Sequence, residues 1–150
     1  MDPTTGTEPI VHEVRIRAEP ETVFGFFTDP ELMVRWKGRE ATADPRPGGI
    51  YRLCFNDRHV VRGEYVEVSP PERVVFTWGW ESDDSPVPPG SSTVAVTLRR
   101  DGDETVVRLE HSGLPEGERE QHHEGWGYYL GRLAVAGGGG EPGPDRAQAA

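Results

Sequence analysis

The chain has 150 residues and a net charge of −10, which fits a single acidic domain large enough to bury a core. Such a charge repels nucleic-acid phosphates and anionic lipid, so we expect no nucleic-acid and no membrane partner. One cysteine, Cys54, excludes an internal disulfide, and no secretion signal or spanning apolar stretch is seen, so we expect a cytoplasmic protein.

The N-terminal part predicts an arm, a strand and two short helices. Residues 1–9 are polar and are expected to be flexible, whereas Ile10 to Arg17 alternate apolar and polar side chains as a strand does. Pro20 suits the first turn of a short helix, and Pro30 begins a second helix that runs through Trp36.

From residue 40 the apolar side chains recur at every second position, which predicts six strands. Their predicted bounds are residues 40–44, 50–55, 59–68, 73–80, 93–99 and 105–111. Asp101-Gly102 is a strong hairpin signal, and a polar, Pro-rich loop spans Glu81 to Ser91. Because the connections between consecutive strands are short, we expect an antiparallel sheet.

Residues 116–136 predict one long amphipathic helix. Its apolar stripe is about 100° wide and consists of His122, Trp126, Tyr129, Leu130 and Leu133. An amphipathic helix needs another apolar surface to pack on, and the predicted sheet supplies it, so we expect an α+β fold. A curved sheet can leave an apolar cavity beneath the helix. The Gly-rich residues 137–150 are expected to form a disordered tail, so residues 10–136 form the single domain.

Several linked motifs, in this order, resemble the SRPBCC (START-like, Bet v 1-like) superfamily. They are PETVFGFFTDPELMVRW, DPRPGGIYR, GEYVEVSPPERVVFTWGW, HSGL and HHEGWGYYLGRL. Within this superfamily, residues 10–136 are most similar to the branch named after the C-terminal domain of the activator of Hsp90 ATPase. The resemblance implies a helix-grip fold, in which a curved antiparallel sheet of about seven strands wraps a long C-terminal helix. Its relatives include ligand carriers, aromatase/cyclases, resistance proteins and co-chaperone domains.

The chain departs from this resemblance in two ways. Many relatives carry a second Trp after Trp36, whereas Lys37 stands there in this chain. The N-terminal domain that accompanies the Hsp90-activating eukaryotic proteins has no counterpart in the sequence. A chaperone contact is therefore the least favoured of the functions that the resemblance implies.

The abundance of Ala, Arg, Gly and Pro indicates a bacterial source.

The space between helix and sheet is the predicted site, because its candidate lining offers apolar area with a few polar atoms. The candidates are Trp36, Tyr51, Phe55, Arg62, Glu64, Phe76, Trp78, Trp80, His122, Trp126, Tyr129 and Leu130. The same aromatic residues can equally fill a solid core. Arg62 and Glu64 are either polar anchors for a ligand or solvated residues at the sheet surface.

Among the candidates, His122 has the side chain with the largest number of possible chemical roles. A buried imidazole can orient a ligand or act as acid or base, although such a residue often only satisfies a backbone carbonyl. His111, His122, His123 and Glu124 lack the spacing of a metal site, so we expect no metal. Catalysis by a nucleophile is not expected either, since the chain has neither a Gly-x-Ser-x-Gly elbow nor a histidine predicted near Cys54.

The sequence therefore favours a non-catalytic protein that binds a small hydrophobic or aromatic molecule, as a carrier, a sensor or a sequestering protein. The entrance is expected between the Glu81 to Ser91 loop and the second short helix around Trp36. A cyclase or dehydratase that uses His122, Tyr129 or Glu64 is the first alternative, and a chaperone-interacting module is the second. No cofactor is expected, and the sequence does not indicate an oligomeric state.

Overall fold

The computed structural model describes residues 9–82, 84–143 and 145. Within them the chain forms the elements β1 (Ile10–Ile16), α1 (Pro20–Gly25), α2 (Pro30–Met33), β2 (Glu40–Ala43), β3 (Ile50–Cys54), β4 (Val60–Ser69), β5 (Arg73–Trp78), β6 (Ser92–Asp101), β7 (Glu104–Ser112), a 3₁₀ turn (Glu116–Glu118) and α3 (Arg119–Gly137). This is the predicted order of strand, two short helices, six strands and long helix. The predicted flexible arm, apart from Pro9, lies outside the described residues.

The seven strands form one antiparallel sheet in the order β1-β7-β6-β5-β4-β3-β2. Consecutive strands from β2 to β7 are neighbours, as their short connections predict. In the β6–β7 hairpin Asp101 pairs with Glu104, and Gly102 adopts a φ of 68° that favours glycine in the tight turn. The α+β helix-grip fold is confirmed.

Helix α3 covers the inner face of the sheet with the predicted apolar stripe. Its buried residues are His122, Trp126, Leu130, Leu133, Ala136 and Gly137. The helix begins at Arg119 because residues 116–118 form the 3₁₀ turn, and it ends one residue beyond the predicted position. Gly137 permits a close approach to β1, since an added Cβ would lie 2.8 Å from Ile16 Cγ2. Neither α3 nor any other described helix is long and apolar enough to cross a membrane.

The two short helices close one side of the core. Each begins with a proline in its first turn, and the Asp29 side chain caps α2 by accepting a hydrogen bond from the Glu31 amide at 3.0 Å. After α2 the chain buries Trp36 completely, and its indole Nε1 donates to the Phe26 carbonyl at 2.9 Å. This hydrogen bond fixes the chain that leads into Lys37.

The loop after β5 folds back over the end of the sheet. The Trp80 amide donates to the Val87 carbonyl at 2.7 Å, and Val87 is fully buried. Outside the sheet, Arg52 forms two hydrogen bonds with the Glu81 carboxylate, at 2.8 and 3.2 Å. These contacts hold the segment beside α3 and define one edge of the site.

Candidate functional site

A cavity of about 530 Å³ lies between the first half of α3, the β3–β4 connection and the loop after β5. Its apolar walls are Phe55, Trp78, Trp80, Trp126 and Tyr129. Its rim is polar and includes Asn56, Arg58, His59, Ser82, Ser85 and Gln121. An apolar interior with a polar rim is the usual construction of a site for a small molecule.

Half of the sequence-predicted candidates border this cavity. They are Phe55, Trp78, Trp80, His122, Trp126 and Tyr129. Four others are buried in the core and do not border the cavity, namely Trp36, Tyr51, Phe76 and Leu130. Tyr51 stacks on Phe76 with ring centroids 4.0 Å apart, so these two rings support the cavity from behind its wall. Both outcomes weighed for the aromatic residues, core filling and cavity lining, therefore occur side by side.

Arg62 and Glu64 require a correction, because both are exposed on the outer face of the sheet. The inner face of β4 is formed by Val61, Gly63 and Tyr65, which are buried. The Arg62 side chain instead lies 3.7 Å from the Glu81 carboxylate outside the sheet. Neither candidate can therefore anchor a ligand in the cavity.

The predicted entrance is only half right. Ser82 and Ser85 of the loop after β5 border the cavity, as expected. Trp36, by contrast, is completely buried and packs edge to face on Phe27, with ring centroids 5.4 Å apart. The residue that reaches the cavity from this segment is its neighbour Lys37.

Lys37 is the functional candidate that the sequence reasoning missed. The side chain is 1% exposed, and its Nζ lies 2.8 Å from the Tyr51 hydroxyl. Five aromatic rings surround Nζ, with centroid distances of 4.4 Å (Trp36), 4.7 Å (Trp126), 5.5 Å (Tyr51), 5.5 Å (Trp78) and 5.9 Å (Phe76). The available signal was Lys37 itself, the single lysine of the chain, directly after the apolar Trp36.

Burial governs the charge of Lys37. Removing the ammonium from water lowers the pKa of Lys37 well below its usual value. No described carboxylate forms an ion pair with Lys37, so nothing of opposite charge compensates for the burial. Contacts with the ring faces favour the charged form by roughly 0.5–2 kcal/mol each, whereas removing the ion from water costs several kcal/mol. Burial is the cause that determines the direction in which the pKa of Lys37 moves.

His111 lies behind the cavity wall in a continuous hydrogen-bond chain. Its Nδ1 accepts from Trp126 Nε1 at 2.9 Å, so Nε2 carries the proton and donates to Ser92 Oγ at 2.9 Å. Ser92 in turn donates to the Trp78 carbonyl at 2.8 Å. Burial, with a smaller effect from the nearby His122 and Lys37, lowers the pKa of His111 to about 3.

His122 is positioned by hydrogen bonds at both ring nitrogens. Nε2 accepts from Trp80 Nε1 at 3.2 Å, and Nδ1 then donates to the Glu118 carbonyl at 2.8 Å. The backbone-carbonyl role weighed in the sequence analysis is therefore the one observed. The imidazole also holds the Trp80 ring against the cavity.

Two further residues that border the cavity, Tyr129 and Trp78, differ in whether their polar atom has a hydrogen-bond partner. Tyr129 donates from its hydroxyl to Asp145 Oδ1 at 2.8 Å, and burial together with this carboxylate raises the pKa of Tyr129. Trp78 Nε1, by contrast, is buried without a hydrogen-bond partner among the described residues. A buried indole N–H without a partner is uncommon in proteins.

Gly137 lies in α3, and Asp145 is also packed against the domain. Asp145 belongs to the stretch 137–150 that the sequence assigns to a disordered tail, yet its side chain is buried. Besides Tyr129, it accepts a hydrogen bond from the Gly38 amide at 3.3 Å. For positions 144 and 146–150, which lie outside the described residues, the disordered tail stays a prediction.

Residues 17–138 match the family described as "Activator of Hsp90 ATPase homolog 1-like protein". The human activator of 90 kDa heat shock protein ATPase homolog 1 is 28% identical over 111 residues. This match covers 73% of the chain and 31% of the human protein, so the chain spans about a third of the length of the curated relatives.

Solved structures give the same relationship. An AHSA1-like protein from Rhizobium etli, solved by NMR, is 42% identical with a TM-score of 0.72, covering 91% of this chain and 86% of that one. The crystal structure of DynU16, a protein in the dynemicin biosynthetic locus, is 28% identical with a TM-score of 0.77. The match covers 90% of this chain and 49% of the DynU16 chain. The chain belongs to the family of Activator of Hsp90 ATPase homolog 1-like proteins, a branch of the SRPBCC superfamily.

Proposed function

We propose that the protein binds a small hydrophobic or aromatic molecule in the cavity beneath α3. The observation that carries the proposal is a volume of about 530 Å³ bounded by Phe55, Trp80 and other aromatic side chains. Ligand pockets in proteins usually measure roughly 300–1,000 Å³ and combine apolar walls with a few polar groups. Here the accessible polar groups are those of the rim, such as Asn56 and His59, and Trp78 lies in the wall with its Nε1 buried.

Burial of apolar ligand surface alone supports only weak binding. Burying about 200 Å² of apolar ligand surface at roughly 25 cal/mol per Å² yields about 5 kcal/mol before the costs of association. This is less than the roughly 8 kcal/mol of a micromolar complex, so polar anchors are needed for tighter binding. DynU16, at 28% identity, lies in a biosynthetic locus, which supports a small molecule as the ligand.

A matched pair of glycine substitutions in α3 tests the proposal. An added Cβ meets nothing within 4 Å at Gly125, which borders the cavity, or at Gly131, which is exposed on the same helix and does not border it. Leu at either position raises helix propensity, so both variants are expected to fold. Only Gly125→Leu fills the cavity.

We expect 2-naphthalenemethanol, titrated by calorimetry, to bind the unmodified chain in the micromolar to millimolar range. Gly125→Leu should weaken binding at least tenfold, or about 1.4 kcal/mol, whereas Gly131→Leu should change it less than twofold. The proposal fails if a panel of aromatic polyketides, sterols and fatty acids shows no binding. It also fails if both variants bind the probe equally.

The enzymatic alternative has fewer groups to work with than the sequence suggested. Glu64 is exposed on the outer face, and the hydroxyl of Tyr129 already donates to Asp145. Both nitrogens of His122 are occupied by protein partners. A cyclase or dehydratase that relies on these three residues would need rearranged hydrogen bonds, and we therefore favour binding without turnover.

Contact with a chaperone is a second candidate, favoured by the family itself. The curated relatives are activators of the 90 kDa heat shock protein ATPase, although the chain spans about 31% of their length. The test is the ATPase rate of purified Hsp90 with and without this protein. A reproducible, saturable stimulation supports the chaperone function, and an unchanged rate with no detectable complex argues against it.

A further inference from the structure

Lys37 is the only lysine of the chain, whose other side-chain cations are arginines and histidines. The structure places this single primary amine in the core, where surrounding rings cover nearly all of the side chain and the remainder borders the cavity. A surface role in solubility or ion pairing does not explain that position. Lys37 is instead one of the residues that border the cavity.

The surroundings of Lys37 suit a reactive amine better than a structural cation. The nearest polar group is the Tyr51 hydroxyl from β3, at 2.8 Å from Nζ. The titratable groups of α3 that border the cavity are His122 and Tyr129, and His111 of β7 lies behind the cavity wall. Glu118, from the turn before α3, is the carboxylate among the lining residues, and it forms no ion pair with Lys37. Burial without an ion-paired carboxylate lowers the pKa of Lys37 and so favours the neutral amine, which is the nucleophilic form.

A residue with an unpartnered hydrogen-bond donor lies close to the amine. Nζ of Lys37 is 5.5 Å from the centre of the Trp78 ring, and Trp78 Nε1 is the buried donor without a partner among the described residues. Both residues border the same cavity. A carbonyl group that reaches this end of the cavity can place its carbon at the amine and turn its oxygen towards the Trp78 indole.

We propose that Lys37 forms an imine with hydrophobic aldehydes or ketones that enter the cavity, an inference that rests on the proposed ligand-binding function. The lone pair of neutral Nζ attacks the carbonyl carbon, and one N–H proton passes to the oxygen to form a carbinolamine. The second N–H proton and the hydroxyl group leave as water, and the C=N bond forms. No oxidant or reductant takes part, and the Tyr51 hydroxyl is placed to relay the protons.

Reductive trapping tests the proposal with the full chain. The protein is incubated with 2-naphthaldehyde and sodium cyanoborohydride, and the adduct is located by intact mass and peptide mapping. Because the chain has one lysine, the competing amine is the N-terminal α-amino group, which serves as an internal reference. We expect saturable labelling of Lys37, at least tenfold faster than labelling of the α-amino group, and competition by 2-naphthalenemethanol.

Two variants separate chemistry from folding. Lys37→Met keeps an unbranched apolar chain in the core and should lose the internal adduct, so that labelling is confined to the α-amino group. Tyr51→Phe keeps the ring and removes the proton relay, so it should label Lys37 more slowly with little change in alcohol affinity. Circular dichroism of both variants confirms that they fold.

The outcomes distinguish this inference from the proposed function. If the alcohol binds in the cavity but Lys37 is labelled no faster than the α-amino group, the imine is wrong and ligand binding stands. If neither the alcohol nor the aldehyde binds, both proposals fail. Labelling of Lys37 that the alcohol does not suppress also overturns the inference, because the reaction would then not occur in the cavity.

Discussion

His111 and Lys37 are polar residues in positions that usually carry apolar side chains. His111 has hydrogen-bond partners at both ring nitrogens, in Trp126 and Ser92, so the neutral ring is well accommodated. A protonated ring would lose the hydrogen bond from Trp126 and would lie near the Lys37 amine. The core at this point is therefore built for uncharged side chains.

This arrangement predicts acid sensitivity with a definite sign. Because the pKa of His111 is about 3 in the folded protein and about 6.5 when unfolded, the unfolded chain binds more protons between these values. Stability should therefore fall as the pH drops below 6.5, by about 1.4 kcal/mol per pH unit from this residue alone. The free energy of unfolding, measured with urea, should decrease between pH 6.5 and pH 4.5 in both proteins. We expect this decrease to be smaller by about 2–3 kcal/mol in His111→Gln than in the unmodified chain.

The exposed His59 supplies the control for this experiment. His59→Gln should keep the full pH dependence of the unmodified chain. Identical pH dependence in His111→Gln and in the unmodified chain would show that His111 is not held neutral by the core.

At the scale of elements, the loop after β5 depends on one close backbone approach. A Cβ added at Gly79 would lie 1.9 Å from the Pro88 carbonyl oxygen, which is far inside contact distance. The neighbouring Trp80 amide donates to the Val87 carbonyl, so the loop and the Trp80 side chain are positioned together. The glycine thus helps to set the shape of the cavity from outside it.

Gly79→Ala should separate the loop from β5. We expect a loss of about 1–3 kcal/mol in the free energy of unfolding, together with weaker binding of 2-naphthalenemethanol as Trp80 shifts. Gly117→Ala is the matched control, because a Cβ there meets nothing within 4 Å, and its effect should stay within about 0.5 kcal/mol. Denaturant unfolding and calorimetric titration measure both effects, and equal stability of the two variants would contradict this role for Gly79.

At the scale of the molecule, most of the fold follows from local patterns. The helical spacing from His122 to Leu133 and the period-two strands predict each element, and the short connections predict the order of β2 to β7. Element ends shifted by a few residues, as at α3, because residues 116–118 form a 3₁₀ turn and carry no apolar side chain that marks where the α-helix begins.

The site follows from the sequence only in part. Cavity residues such as Trp78 and Trp126 are recognisable because they lie on the inward phase of their elements. For β4 the phase was ambiguous, since valines occur on both faces, and the buried Tyr65 marks the inner one. Lys37 escaped recognition because its burial depends on rings from β3, β5 and α3, which come together only in the fold.

The most direct test of ligand binding in the cavity uses the four indole N–H groups of the chain. Trp78, Trp80 and Trp126 border the cavity, whereas Trp36 is buried away from it and donates to Phe26. In a ¹H–¹⁵N spectrum titrated with 2-naphthalenemethanol, the first three indole resonances should shift saturably, with the largest change at Trp78. Trp36 should stay nearly fixed. Unchanged indole resonances at saturating probe, or a shift confined to Trp36, would contradict binding in this cavity.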